Sequence, residues 1–203
     1  MFDVEKIQTH MRSEGIGSWL VYDFRGSNPV FWQLLGQRRQ TSRRVFLIIP
    51  ATGEPRLLGS VVEPEALTGL GIGITPYASW AQMKDILHEV LQSQERVAME
   101  YSPGGALPII SWVDGGTLEL IRSMGPQVVS SADLCQVALA VWSAGALASH
   151  RDACRQVAEV KDAAFDHIRY ALANQVPLTE FGVQQFIVGE FERRGLDMDH
   201  PAI

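Results

Sequence analysis

Three residue groups in this chain could do chemistry. The first is Asp197, Asp199 and His200, which would suit a metal if they converged. They follow Gly195, a helix stop, and neighbours on an extended stretch point to opposite faces. A polar loop is therefore the expectation there. The second is the stretch 22–28 (YDFRGSN), which directly follows an apolar run. Strand exits are where layered α/β domains present side chains to ligands, and Arg25 and Asn28 could offer donors. The alternative is a local turn in which Asn28 caps a short helix. The third is the basic group Arg38, Arg39, Arg43 and Arg44, either a solvated loop or a site for a carboxylate or an acidic partner surface.

Other chemistry is missing. No H-E-x-x-H, G-x-S-x-G or G-x-x-x-x-G-K-[ST] occurs. Gly69-Leu70-Gly71-Ile72-Gly73 has the wrong spacing for a dinucleotide loop and follows a helical stretch. His10, His88 and His167 sit singly in helical patterns, and His150 stands near Asp152 at a helix start. Cys135 and Cys154 form no C-x-x-C and lie in amphipathic segments, so buried free thiols are expected.

The elements that must position these groups alternate in period. Residues 3–14 have a helical pattern with Asp3 as N-cap and Gly15 as stop. Residues 18–22 (SWLVY) form a buried strand, and residues 30–35 a short helix ending at Gly36. Strands at 44–50 and 56–60 flank Thr52-Gly53-Glu54-Pro55 as a β-hairpin. A short helix at 63–69 and a strand at 73–77 follow. The helix at 80–92 has Trp80, Met83, Leu87 and Leu91 on one face. Then come a strand at 96–101, a helix at 115–124, a strand at 127–130 and a helix at 132–142. This alternation predicts an α/β domain, and the hairpin makes its sheet mixed.

From Ala144 no further strand is evident. Residues 146–174 carry one apolar stripe through Cys154, Val157, Ala158, Ala164, Phe165, Ile168 and Leu172. Thr179 caps a second helix that runs through Arg194. A boundary near residue 143 gives domains 1–143 and 144–203. Leaving five or six such side chains in water forfeits about 10 kcal/mol. These helices are therefore expected to pack on something further or to dock onto the first domain, and the chain is expected to be cut short.

The net charge of −6 is uneven, with eight Lys/Arg against five Asp/Glu over residues 1–60. A nucleic-acid-binding domain is basic as a whole, so no nucleic-acid partner is expected. Neither a signal peptide nor an apolar run of membrane-span length is present, so a cytoplasmic location is expected.

The order of these pieces resembles the creatinase-like N-terminal domain of Xaa-Pro aminopeptidases and prolidases. Gly15-Ile16-Gly17-Ser18-Trp19 stands where that family has a G-I-D-A run, with Gly17 in place of the acid. Trp32-Gln33-Leu34-Leu35-Gly36 stands for its Y-L-T-G, and Val97-Ala98-Met99-Glu100-Tyr101 for a strand ending in Glu. Residues 149–164 (SHRDACRQVAEVKDAA) are similar to its first catalytic-domain helix, and Leu178-Thr179-Glu180-Phe181 to the next helix start. The resemblance implies a mixed α/β domain followed by two helices of an incomplete α+β pita-bread domain. It implies a metallopeptidase hydrolysing bonds next to proline, with two divalent ions (Mn, Co or Zn) held by two Asp, one His and two Glu. Those ligands lie downstream of Ile203, so this chain would hold no cofactor and be inactive alone. It would wall the active site of a homodimer that takes peptide substrates, with Arg25, Asn28, Arg43 and Arg44 as wall positions. A non-catalytic binding module and a creatinase-like hydrolase of non-peptide C–N bonds remain as alternatives.

Overall fold

The computed structural model describes residues 2–197. It divides into two compact units, Met1–Val141 and Trp142–Ile203.

The first unit is a mixed six-stranded sheet between helices, as expected. In chain order it runs α1 (Val4–Ser13), β1 (Ser18–Phe24), α2 (Pro29–Leu35), β2 (Arg44–Pro50), β3 (Arg56–Ser60) and β4 (Gly73–Tyr77). Then follow α3 (Trp80–Leu91), β5 (Arg96–Met99), α4 (Gly115–Ser123), β6 (Gln127–Ser130) and α5 (Ala132–Leu139). The spatial order is β4-β3-β2-β1-β5-β6. β1 pairs antiparallel with β2 from Ser18↔Pro50 to Phe24↔Arg44, and parallel with β5. β2 and β3 form the antiparallel hairpin, while β3–β4 and β5–β6 are parallel. Five strands therefore run one way and β2 alone runs the other.

Period-two alternation splits the strands between two cores. Trp19, Val21, Leu47 and Ile49 face one side, where Ile7 and Met11 of α1, Phe31 and Leu34 of α2, and Leu134 of α5 cover them. Leu20, Tyr22, Phe46 and Ile48 face the other, beneath Met83, Leu87 and Leu91 of α3 and Ile121 of α4. Burying each such side chain contributes about 1.5–3 kcal/mol. Helix ends follow local chemistry. Asp3, Ser79 and Asp114 each accept a backbone N–H as N-caps of α1, α3 and α4, and Gly36 closes α2 in the left-handed region.

Four expectations are corrected. Trp80 does not share the buried face of α3; it is the first helical residue and 48% exposed. The helix expected at 63–69 shrinks to a 3-10 turn, Pro64–Ala66, because Gly69 and Gly71 take positive φ and break the chain. The strand expected at 96–101 stops at Met99, and the helix expected at 132–142 stops at Leu139.

The second unit is a helix pair, α6 (Ala144–Ala173) and α7 (Glu180–Arg194), with Ser143 and Thr179 as N-caps. An apolar groove of about 340 Å³ runs between them, lined by Val157, Val160, Ala164, Ile168, Val183 and Ile187. Arg194 bridges to Glu159 at 2.6 Å across the pair, and the ring of His167 stacks on Phe186 at 4.4 Å. Cys154 is a further correction. It is exposed rather than buried, 3.4 Å from His150 Nε2, and the His150 ring lies on Trp142. Among the described residues no single helix is long and apolar enough to cross a membrane.

Candidate functional site

Because five strands share a direction, their C-terminal ends gather at one edge of the sheet, where β2 begins. That edge brings together the last residues of β1 and the turn to Pro29, residues 100–114 after β5, the end of β6 with Ser131, and Arg43 and Arg44 at the start of β2. Ligands of open α/β sheets bind outside such carboxyl ends.

Below the surface lies a buried polar knot. The Asp23 carboxylate accepts the backbone N–H groups of Gly26 at 2.9 Å and Asn28 at 2.8 Å. This side-chain turn holds Arg25 and Gly26 at φ 61° and 72°. A left-handed residue with a side chain costs about 1–2 kcal/mol, so Arg25 stays there because the turn over-determines it. Asn28 is fully buried, and its Oδ1 accepts the N–H of Val30, capping α2 at 3.0 Å. Its Nδ2 donates to the Tyr22 carbonyl at 2.7 Å and to Glu100 Oε2 at 2.9 Å.

Glu100 is the centre of this knot. Its Oε1 accepts Trp19 Nε1 at 2.7 Å and Ser131 Oγ at 2.9 Å. No cation offsets the carboxylate among these partners. Burial pushes its pKa up to about 7, against the pull of the hydrogen bonds from Trp19, Ser131 and Asn28. Cys135 feels the same environment. Burial, reinforced by the Glu100 charge, lifts its thiol to about 12 although Ser131 bonds to it. That environment favours the neutral thiol over the thiolate.

At the Phe24 end of β1 the surface is cationic and aromatic. Arg44 lies over the Phe24 ring at 5.6 Å and over the Trp80 ring at 4.9 Å. Arg25 lies over Phe24 at 5.9 Å and Lys84 over Trp80 at 6.0 Å. Three cations thus alternate with two exposed rings. The Tyr77 hydroxyl donates to the Arg44 carbonyl at 2.7 Å and holds the start of β2. Beside the row, burial opposes the Asp114 charge, yet hydrogen bonds from the Thr117 side chain and backbone hold its carboxyl below the ordinary value. Burial also raises the Tyr22 phenol, which adjoins Thr117, Asp114 and Arg44.

The four residues singled out from sequence therefore separate. Arg25 and Arg44 meet on one ring. Arg43 adjoins Glu63, whose carboxyl is lowered first by Ser42 through its side chain and backbone. Asn28 is turned inward with its polar atoms committed to Tyr22, Val30 and Glu100, so it caps a helix and presents no donor to the surface. Arg38 and Arg39 bind main-chain carbonyls, of Gly26 and of Glu65 and Thr68. Phe24, Trp80 and the hub role of Glu100 were not visible in the sequence. An aromatic residue flanked by arginine at a strand exit was the available signal.

Among the described residues, no group of three or more His, Cys, Asp or Glu side chains is placed to hold a metal ion. Asp199 and His200 lie outside the described residues.

No family model and no curated protein matches the sequence. Solved structures do match the fold. A prolidase from Thermococcus sibiricus superposes with a TM-score of 0.56 at 13% identity, over 97% of this chain and 50% of its own. Dipeptidase PepE from Mycobacterium ulcerans gives 0.55 at 17% identity, over 92% and 48%. The Creatine_N superfamily domain of a dipeptidase from Streptococcus thermophilus gives 0.50 at 15%, over 67% of this chain and 97% of its own. This chain thus spans about half the length of the prolidase and dipeptidase PepE, and at these identities the likeness is one of fold: a mixed α/β domain of the kind found at the N-terminus of prolidases.

Proposed function

We propose that this chain is the N-terminal portion of a metal-dependent Xaa-Pro aminopeptidase or prolidase-like peptidase. It walls the active site and supplies dimer contacts, and it does not hold the metal centre. The observation that carries this reading is the superposition on a prolidase over 97% of this chain, with half of that prolidase left over. The cationic and aromatic row suits a wall. Arg25 and Arg44 hold their planar guanidinium groups on the Phe24 ring, which pre-orients donors toward a carboxylate-bearing peptide. The metal ions, bound by residues elsewhere, would supply the activated water. What this chain does is orient the substrate and exclude solvent.

The test has three arms. The reading frame beyond Ile203 should encode two Asp, one His and two Glu in order. In that longer protein Arg44→Ala should raise KM for Xaa-Pro dipeptides about tenfold with kcat kept. The 203-residue chain alone, given Mn²⁺ and Ala-Pro, should show no cleavage. Xaa-Pro cleavage by the short chain, or a downstream frame without those ligands, overturns the reading.

A further inference from the structure

A groove of about 580 Å³ lies in the first unit between the turn at residues 26–29, α2 and Trp112. Its polar wall is made by Trp32, Gln33, Gln37 and Arg38, and no acidic side chain lines it. In a chain of net charge −6 this is a locally positive concavity. Trp32 is only 4% exposed, yet its Nε1 has no hydrogen-bond partner among the described residues. Buried donors are almost always satisfied, so an unpaired one asks for an acceptor. The Arg38 guanidinium uses Nη2 on the Gly26 carbonyl at 2.9 Å. Among the described residues no other hydrogen bond engages it, so its remaining N–H groups are open to a ligand.

These donors flank the same glycine. A Cβ on residue 26 would stand 3.5 Å from Arg38 Nη2, 3.6 Å from Arg38 Nε and 3.9 Å from Trp32 Nε1. Residue 26 is Gly at φ +72°, so no side chain occupies that point. The missing side chain leaves the guanidinium and the indole N–H close together beside the Gly26 backbone, so an acceptor with two oxygens can take one donor with each from the groove. Trp112, 38% exposed, offers a flat apolar wall in the same groove.

We propose that this groove is a binding site for a small organic carboxylate with a planar apolar body. One carboxylate oxygen takes the Arg38 guanidinium, the other takes Trp32 Nε1, and the body lies against Trp112. Arg38 is exposed and held by a single hydrogen bond, so it is the side chain that swings to admit the ligand. One cation with neutral donors matches a monoanion better than a phosphate dianion, which is served by clustered cations. The site lies apart from the Arg25–Arg44 row and does not rest on the peptidase reading.

The experiment titrates the full chain, labelled with ¹⁵N at its indoles, with benzoate, with benzamide as the neutral isostere and with inorganic phosphate. Trp32→Phe assigns the Trp32 indole N–H, and the Trp19 indole, bonded to Glu100, reports that the fold is intact. Benzoate should move the Trp32 signal with a Kd on the order of 1 mM. Benzamide and the Arg38→Ala variant should each weaken that response at least ~10-fold, with the Trp19 signal unmoved. Arg38→Lys should retain part of the affinity. A Trp32 signal that ignores benzoate, answers benzamide or phosphate equally well, or is unaffected by Arg38→Ala overturns the proposal.

Discussion

Two polar regions occupy the same edge of the sheet and behave oppositely. In the knot, Asp23, Asn28 and Glu100 are fully buried and bonded to named protein partners. In the row, which starts at the next residue of β1, Phe24, Arg25 and Arg44 are exposed, and the arginines rest on ring faces with donors to spare. Asp23 and Arg25 are two residues apart, yet one builds the turn and the other is displayed by it. Charge at a strand end is thus not one signal. Burial decides whether it holds the fold or meets a ligand.

The largest effect should come from breaking the knot at its hub. Glu100→Ala leaves Trp19 Nε1, Ser131 Oγ and one bond of Asn28 without an acceptor. Removing the acceptor of buried donors costs about 3–5 kcal/mol here, read as a drop in the urea midpoint. A loss under about 1 kcal/mol would show that the knot is ornamental to the fold.

The same carboxyl predicts a pH dependence of defined sign. Its folded pKa is about 7 against an ordinary 4.5, so between these values the folded state holds a proton that the unfolded state releases. Stability from Glu100 is therefore greatest below about pH 4.5 and is lost as pH rises through 7. Glu100→Gln removes this titration, although its amide faces Asn28 Nδ2 and lowers stability at every pH. The stability difference between the parent chain and Glu100→Gln should narrow by about 2–3 kcal/mol from pH 5 to pH 8. A constant difference across that range would mean that the carboxylate is charged throughout. Asp23→Ala should act next, by about 2 kcal/mol in thermal unfolding, because it frees two backbone N–H groups and the left-handed pair at Arg25 and Gly26.

The difference between knot and row also explains what the sequence could and could not convey. Strand and helix order follows from local periodicity, so the hairpin, the buried strand β1, and the caps at Asp3 and Thr179 were all legible. The extension of β1 to Asp23 and Phe24 was not, because Asp before Phe-Arg-Gly has the character of a turn and becomes strand only by pairing with Val45 and Arg44. Trp80 carried the right spacing for the α3 core stripe, but its place at the helix start leaves it beyond the cover of the sheet. Glu100 illustrates the limit most sharply. Its partners stand 81, 72 and 31 positions away along the chain, and no window of sequence holds them together. Asn28 was the one residue for which the local alternative, a helix cap, was on hand from the start, and the Glu100 contact then gave that cap a second duty.

The smallest effect on stability belongs to the row, and there its smallness is the point. Arg44→Ala removes cation contacts to Phe24 and Trp80 that are exposed to water, each worth about 0.5–1 kcal/mol before solvent screening. The strand start itself is kept by the backbone pairing of Phe24 with Arg44 and by Tyr77 on the Arg44 carbonyl, neither of which needs the guanidinium. Unfolding of Arg44→Ala should therefore shift by less than about 1 kcal/mol, and added salt should shrink that difference further. A change as large as that of Glu100→Ala would erase the distinction between the two regions, since the row would then be holding the fold as the knot does. A small change joined to a raised KM in the longer protein would sharpen it, because a side chain that costs the fold almost nothing to lose is free to be shaped by what it binds.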